Sequence, residues 1–161
     1  LWLAEQHGWP RVVSSQIPLS LLRREFHHDL AFCRKHNIGI TPYQALQGGL
    51  LTGKYRRGQP LPTDSRAAEK PDWIWKLDDA LFDRLERAES VTKELGVPMS
   101  QLALAWTLTQ PSVTSPIVGV KRLDQIDDAI AAASVKLSPD HLKQLDAACP
   151  PPWTQNDPVR G

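Results

Sequence analysis

The sequence predicts an α/β fold with parallel strands, because short apolar segments alternate with stretches of helical periodicity along the chain. Three segments have the length and apolar character of buried strands, and a helical pattern follows each of them. Strands that alternate with helices are usually joined by right-handed crossovers, so they point the same way. Three strands are too few for a closed barrel and few for a doubly wound sheet. The architecture is therefore predicted to be part of a larger one.

The first quarter of the chain predicts the tail of a helix, two strands and a helix between them. LWLAEQHGW, at the start, is typical of the last turns of a helix, because no N-cap precedes it and Gly8 and Pro10 end the pattern. We therefore expect the chain to begin inside an element. RVVSSQI (11–17) and IGITPY (38–43) are short and apolar, as buried strands are. A helix within residues 21–37 is predicted from apolar residues at helical spacing: Leu22, Phe26, Leu30 and Phe32 or Cys33.

The remainder predicts a long loop, four helices and one more strand. Residues 47–76 are rich in glycine and proline and form an irregular region, which is uncommon at that length unless it is functional. SPIVGV (115–120) predicts the third strand, and Ser138 is placed to cap the last helix. The helices are predicted over residues 78–95, 98–110, 121–133 and 137–149.

Composition and missing motifs exclude several classes of protein. A formal net charge of +1 gives no general attraction to nucleic acid or acidic membranes, so any anion site must be local. No apolar run approaches the roughly 20 residues that span a bilayer, and the start lacks a signal-peptide pattern. Cys33 and Cys149 form no CxxC pair and are interpreted as reduced thiols of a cytoplasmic protein. Neither metal-ligand spacing nor a GxSxG elbow occurs, so no metal site is predicted.

Residues at the carboxyl ends of the predicted strands are the first candidates for a site, because ligands of parallel α/β folds bind there. Gln16 ends the first strand, Tyr43 ends the second, and Gly119 follows the third. A tyrosine at such a position offers a flat face to a planar ring. Taken alone, Tyr43 is also compatible with a core or rim tyrosine, and Gln16 with an ordinary polar residue at the end of a strand.

Glycines and basic residues after the second and third strands predict a dinucleotide or phosphate site. The pair Gly48–Gly49 allows close approach of the backbone to a ligand. Lys121 and Arg122 open a helix, where free N–H groups and the helix dipole favour phosphate. Four cations of the loop after the glycines either bind phosphate or form part of a solvated basic loop: Lys54, Arg56, Arg57 and Arg66. Neither GxGxxG nor GxxxxGK[ST] is present.

Two stretches together resemble the aldo-keto reductases: IGITPYQALQGGLLTGKYRRGQPLP and, downstream, GVPMSQLALAWTLTQPSVTSPIVGVKRLDQIDDAI. The resemblance covers essentially the whole chain and is nearest to the bacterial and fungal branch related to potassium-channel β subunits. It implies the carboxyl-terminal half of a (β/α)8 TIM barrel that uses NADP(H). Residues 1–161 would then be one partial oxidoreductase domain that lacks the amino-terminal half, and the full-length parent would reduce small carbonyl substrates.

The resemblance implies a role in cofactor binding for twelve positions. Gln16 is similar to the glutamine that faces the nicotinamide carboxamide, and Tyr43 to the aromatic residue that stacks on the nicotinamide ring. Positions implied along the pyrophosphate are Gln44, Ala45, Leu46, Gly49, Lys54 and Arg66. Positions implied around the adenosine 2′-phosphate and adenine are Gly119, Lys121, Gln125 and Asp128. Three positions depart from the family's pattern: Gln44 replaces a usual Ser, Ala45 a usual Pro and Ala129 a usual Asn.

No residue of the chain matches the family's catalytic Asp, Tyr, Lys and His, which lie in the amino-terminal half, so no catalytic residue is predicted here. Two hypotheses remain: part of an NADP-dependent reductase, or a non-catalytic half-barrel that binds nucleotide or a partner. An open sheet edge with exposed apolar side chains predicts self-association. Arg66, Lys121 and Arg122 favour NADPH over NADH. Trp153, in the tail, either lines the substrate pocket or is a surface residue.

Overall fold

A computed structural model describes residues 1–152 of the chain, so Trp153 lies outside the described residues. The elements follow in chain order as α1 (Trp2–His7), β1 (Ser14–Ser15), α2 (His27–Lys35), β2 (Gly39–Ile40), a 3₁₀ segment (Gln47–Thr52), α3 (Arg66–Glu69), a second 3₁₀ segment (Pro71–Trp73), α4 (Asp79–Leu95), α5 (Met99–Leu108), α6 (Asp124–Ala132) and α7 (Pro139–Ala148). No helix within residues 1–152 combines the length and the apolar character needed to cross a bilayer.

β1 and β2 form a two-stranded parallel sheet, as the alternation of strands and helices predicts. Ser14 pairs with Gly39, and a bridge between Pro18 and Tyr43 continues the contact beyond the ends of both strands. The α/β class with parallel strands is therefore confirmed, although both strands are shorter than predicted.

The predicted third strand, residues 115–120, is wrong: no strand forms there in the part of the chain that the structure describes. The N–H of Thr114 donates to the carbonyl of the last residue of β2 at 2.9 Å. The next donor of a parallel ladder would be residue 116, but Pro116 has no N–H. Ile117 donates to the carbonyl of Pro42 instead, at 2.7 Å, so the register slips by one residue. A proline on each side of the contact thus prevents a regular ladder.

Two other expectations need correction. The helix expected within residues 21–37 begins only at His27, because Ser20 and Arg23 exchange both of their backbone hydrogen bonds at 3.0 Å and form a tight turn first. The region 47–76 is not wholly irregular, since α3 and both 3₁₀ segments lie in it. The four helices after it are confirmed, with ends that differ from the prediction by three residues at most.

The core lies where α4, α5 and α7 meet. α5 is buried on nearly all sides, and its Trp106 is among the largest fully buried side chains. α4 is amphipathic and turns Leu81, Leu85, Ala88 and Val91 inward. Asp78 caps α4 by accepting from the N–H of Leu81 at 3.0 Å. Ser138 caps α7 as predicted, in a reciprocal capping box with His141.

Candidate functional site

The sheet edge brings the first two predicted residues to neighbouring positions. Gln16 directly follows β1 and is exposed. The N–H of Tyr43 donates to the carbonyl of Ile17 at 3.0 Å, and its own carbonyl accepts from Leu19 at 3.2 Å. These bonds fix the backbone of Tyr43, while its side chain stays 39% exposed. The backbone of Tyr43 is thus fixed at the carboxyl end of the parallel sheet, and its side chain is partly exposed there.

The three residues after Tyr43 form a turn in which few side-chain atoms are available to a ligand. Gln44 has a left-handed backbone (φ 57°), and its Oε1 accepts from Arg23 Nη1 at 2.9 Å. Ala45 is buried and Leu46 is half-buried. The side chain of Gln44 is therefore engaged by Arg23, and Ala45 can offer a ligand only its backbone.

The glycine pair brings a basic side chain back onto the turn. Gly48 and Gly49 both have left-handed backbones, with φ 64° and 94°. A Cβ added at Gly49 would lie 3.1 Å from Lys54 Cε. Lys54 is exposed, with its Nζ 5.4 Å from the centroid of the Tyr55 ring. The absence of a side chain at Gly49 therefore provides the room in which Lys54 lies.

The remaining arginines of the loop point elsewhere. Arg56 pairs with Glu89 of α4, and Arg57 pairs with three further carboxylates of that helix. Arg66 is exposed at the start of α3, with its Cζ 5.8 Å from the centroid of the Trp73 ring. Among Lys54, Arg56, Arg57 and Arg66, it is therefore Lys54 and Arg66 that form no ion pair with a carboxylate within residues 1–152. The expectation of a basic loop that is either phosphate-binding or solvated did not foresee the pairing with α4.

The turn before α6 is built around Gln125. Its Oε1 accepts from the backbone N–H of Lys121 at 2.8 Å and of Arg122 at 3.3 Å. Lys121 Nζ donates to Glu69 Oε1 at 2.7 Å, and this bond holds the pKa of Glu69 below its ordinary value. Arg122 forms a two-point pair with Asp124, at 3.0 Å for each bond, which raises the pKa of Arg122 and lowers that of Asp124.

The other two predicted residues of this region differ in surroundings. Asp128 Oδ1 accepts from Gln101 Nε2 at 2.9 Å, and its Oδ2 accepts from Ser100 Oγ at 3.4 Å. Asp128 therefore ties α6 to α5. Gly119 is exposed, and a Cβ built on it would meet no atom within 4 Å.

α3 connects the two parts of the site. The hydroxyl of Tyr55 is buried and accepts from the N–H of Ala67 at 3.2 Å, while Glu69, two residues on, reaches Lys121. The loop thus runs from Lys54 to the turn before α6 as a strap. Sequence reasoning missed Glu69, because no local pattern marks an acidic residue that pairs 52 positions away.

Two clefts lie between the first part of this strap and α4. A groove of about 290 Å³ is lined by Tyr55, Pro60, Leu61, Leu77 and Phe82, and a smaller one of about 40 Å³ lies beside it under Arg56. Within residues 1–152, no group of three or more His, Cys, Asp or Glu is arranged to hold a metal ion. Burial raises the pKa of the Cys149 thiol to about 11.

Residues 2–149 match the sequence model described as the aldo/keto reductase family. The chain belongs to this family. Aldo/keto reductases are oxidoreductases and generally use NAD(P)H. The observed sheet of two parallel strands with helices is compatible with part of the family's TIM barrel.

Three relatives of this aldo/keto reductase chain illustrate the range of the family. A Schizosaccharomyces pombe protein named as an aryl-alcohol dehydrogenase is 33% identical, over 92% of this chain and 42% of its own length. Versiconal hemiacetal acetate reductase of Aspergillus parasiticus is 30% identical, over 89% and 42%. An Arabidopsis thaliana protein named as a voltage-gated potassium channel subunit beta is 38% identical, over 62% and 31%. The chain spans about two fifths of the length of the first two relatives.

The residues present fit the family's dinucleotide better at one end than at the other. At Tyr43, an exposed ring and a cation on a glycine turn are available to a ligand. At the turn before α6, the cations are already paired with Glu69 and Asp124. A phosphate at that turn would have to exchange places with a carboxylate of the aldo/keto reductase chain itself.

Proposed function

We propose that this chain supplies most of the NADP(H) site of an aldo-keto reductase that reduces a small carbonyl substrate in the full-length protein. In this proposal, residues 1–161 are the carboxyl-terminal half of the barrel domain. The observation that carries the proposal is the arrangement at the end of β2. There Tyr43 presents a ring held by its backbone, and Gly49 makes room for Lys54 after two tight turns.

Each residue would have a binding or orienting role. The ring of Tyr43 would stack on the nicotinamide, and Gln16 beside it would hydrogen-bond the carboxamide. Lys54 would bind the pyrophosphate as a cation. Arg66, farther along the strap, would bind the pyrophosphate as a second cation. Backbone groups of Gln44, Ala45 and Leu46 would border the same region. When bound, NADPH supplies the hydride that reduces the carbonyl carbon.

The turn before α6 would bind the adenosine end. Lys121 would bind the 2′-phosphate, and Gly119, which has no side chain, would allow the phosphate to approach the turn. Gln125 would hold the N–H groups of the turn in place. Asp128 would act through the packing of α6 on α5. The cluster of Arg66, Lys121 and Arg122 supports NADPH over NADH.

The proton donor of the reduction would come from the rest of the full-length protein. The chain has two tyrosines, and neither suits the role. The hydroxyl of Tyr55 is buried and accepts a backbone hydrogen bond, while Tyr43 is assigned to stacking. The isolated chain is therefore proposed to bind the cofactor without turnover. Its two free cysteines support the cytoplasm as the proposed location.

Calorimetric titration of the chain with NADPH tests this function. Tyr43→Ala is expected to weaken NADPH binding by about tenfold, because stacking and burial of one ring are lost together. Tyr43→Phe keeps the ring and is expected to bind within about twofold of the unaltered chain. Phe32→Ala removes an exposed ring of α2 and is the matched control. Equal affinity of the Tyr43→Ala variant and the unaltered chain would refute the assignment.

A second candidate function is self-association as a non-catalytic module, and exposed apolar residues favour it. Val13 is 68% exposed beside the free edge of β1, and Ile130 is 67% exposed on α6. Ile117, Val120 and Ile126 are exposed as well. Sedimentation velocity of the chain is expected to show dimers or larger species, and a folded monomer at micromolar concentration would rule this out.

A further inference from the structure

We propose that Arg57 anchors the loop to α4 and thereby holds Lys54 in position beside Gly49. Arg57 would then be a positioning residue for the cofactor site. This role toward the cofactor rests on the proposed function, whereas the anchoring of the loop does not. Its Nε donates to Glu86 Oε1 at 3.0 Å, and its Nη2 donates to Asp83 Oδ1 at 2.5 Å. Its Nη1 pairs with Asp79, the third carboxylate.

The position of the three carboxylates follows from helix geometry. Asp79, Asp83 and Glu86 are separated by four and three residues, so they lie on one face of α4. Phe82 lies beside them, and the Arg57 Cζ is 5.6 Å from the centroid of its ring. The guanidinium is thus held by its planar fork and over an aromatic side chain, an arrangement that a lysine cannot reproduce.

α4 is a suitable support because it is fixed at both ends and along one face. The cap from Asp78 and the left-handed Gly96 define its ends. Its apolar side chains belong to the core that it shares with α5 and α7. A loop residue bound to the opposite face of α4 is therefore held against a helix that is itself packed into the core.

The two residues between Lys54 and Arg57 transmit the effect of the anchor to Lys54. Tyr55 is buried, with its hydroxyl bonded to Ala67, and Arg56 pairs with Glu89. The backbone that follows Lys54 is thus fixed on both sides of the loop, by the core and by α4. The side chain of Lys54 keeps its freedom, but its starting point beside Gly49 does not move. Arg57 would therefore act on the cofactor only through Lys54.

The first experiment uses the cofactor-free chain. The double variant Asp83→Asn, Glu86→Gln removes two of the three carboxylates and leaves the tryptic sites at Lys54, Arg56 and Arg57 intact. Cleavage by trypsin at these sites is expected to become about fivefold faster, because it follows the population of the opened loop. In 1 M NaCl, the difference should fall to below about twofold, since screening weakens the anchor of the unaltered chain.

Glu94→Gln is the matched control, because Glu94 lies on the same helix but contacts Gln144 and His141 of α7. Its cleavage rate at the loop is expected to equal that of the unaltered chain. An unchanged rate in the double variant, or an equal rise in the control, would overturn the anchor.

The second experiment follows NADPH release by stopped flow. Arg57→Gln is expected to raise the dissociation rate about fivefold, and Arg57→Lys by an intermediate factor. Adding Arg57→Gln to Lys54→Ala should raise the rate no further, because Arg57 acts through Lys54. Independent, additive effects would overturn the positioning role. Failure of the unaltered chain to bind NADPH would instead refute the proposed function, and the trypsin experiment would still decide on the anchor.

Discussion

The two ends of the candidate site differ in what their side chains already do. At the tyrosine end, Tyr43 and Lys54 are exposed and have no ionic partner within residues 1–152. At the adenosine end, Lys121, Gln125 and Asp128 are each bonded inside the protein. In the proposed site, the side chains of the tyrosine end would therefore be free to contact a ligand, whereas those of the adenosine end are already bonded within the protein.

This difference predicts which end of the candidate site contributes more to the affinity for NADPH. A ligand at the tyrosine end would break no ion pair of Tyr43 or Lys54 within residues 1–152, so the binding free energy of its contacts there would be retained. At the adenosine end, a 2′-phosphate would have to replace Glu69 on Lys121, so the gain would be only the difference in free energy between two anion pairs. We expect Lys54 to contribute more to NADPH affinity than Lys121, although both are exposed lysines.

The largest expected effect is that of Lys54→Ala. Loss of a charge-assisted contact of about 1.5–3 kcal/mol should weaken NADPH binding by about tenfold or more. Lys70→Ala is the control, because Lys70 is an exposed lysine of the same loop that lies 4.5 Å from the Trp73 ring centroid. Its affinity for NADPH should stay within about twofold of the unaltered chain. Calorimetry decides, and equal losses in the two variants would remove the distinction between Lys54 and the rest of the loop.

A smaller effect is expected from Gly49→Ala, which keeps the charge but moves it. The new Cβ would lie 3.1 Å from Lys54 Cε, so the flexible lysine should shift and NADPH affinity should fall by about fivefold. Gly58→Ala places the same side chain at a left-handed backbone (φ 69°) with no atom within 4 Å. Both variants share the backbone strain, so thermal stability should fall in both. Only Gly49→Ala should alter binding, and it should have no further effect in the Lys54→Ala background.

The contrast between the two ends also explains which features of the fold and of the candidate site could be predicted from the sequence alone. Alternating apolar and helical segments are a local signal, and they predicted the parallel sheet and the helices α4 to α7. Tyr43, Gly49 and Lys54 could be grouped because they lie within twelve positions on one turn. The roles of Glu69 and Asp128 depend on partners 52 and 27 positions away, which no local pattern reveals.

The errors have equally specific causes. The segment 115–120 has the composition of a strand, but strand composition does not show which N–H groups a ladder needs. Pro42 and Pro116 lack those N–H groups. Arg56 and Arg57 were grouped with Lys54 by charge, although the acidic residues at helical spacing in α4 were visible in the sequence. Charge pairing between a loop and a later helix is a signal that could have been used.

Asp128→Ala tests whether Asp128 stabilises the packing of α6 on α5 and does not contact the cofactor. Loss of the bonds to Gln101 and Ser100 should lower the free energy of unfolding by about 1 kcal/mol. Gln101→Ala should cost about as much, and the double variant little more than either, because both remove the same contact between α5 and α6. Chemical unfolding measures this. A tenfold loss of NADPH affinity in Asp128→Ala, without a comparable loss in Gln101→Ala, would instead favour direct contact of Asp128 with the cofactor.

The smallest effect is expected from Glu69→Gln, and it depends on pH. Lys121 lowers the pKa of Glu69 in the folded chain, so the pair stabilises the fold fully above the ordinary glutamate pKa of about 4.3. This contribution is lost as the pH falls through the lowered pKa. The melting temperature of Glu69→Gln should therefore be below that of the unaltered chain at pH 7, and the two should converge as the pH falls through the lowered pKa of Glu69. At pH 7, the freed Lys121 should raise NADPH affinity about threefold with NADH unchanged. A variant that loses affinity for both cofactors would mean that Glu69 supports the strap itself, and the adenosine end would then not be limited by exchange of its own carboxylate.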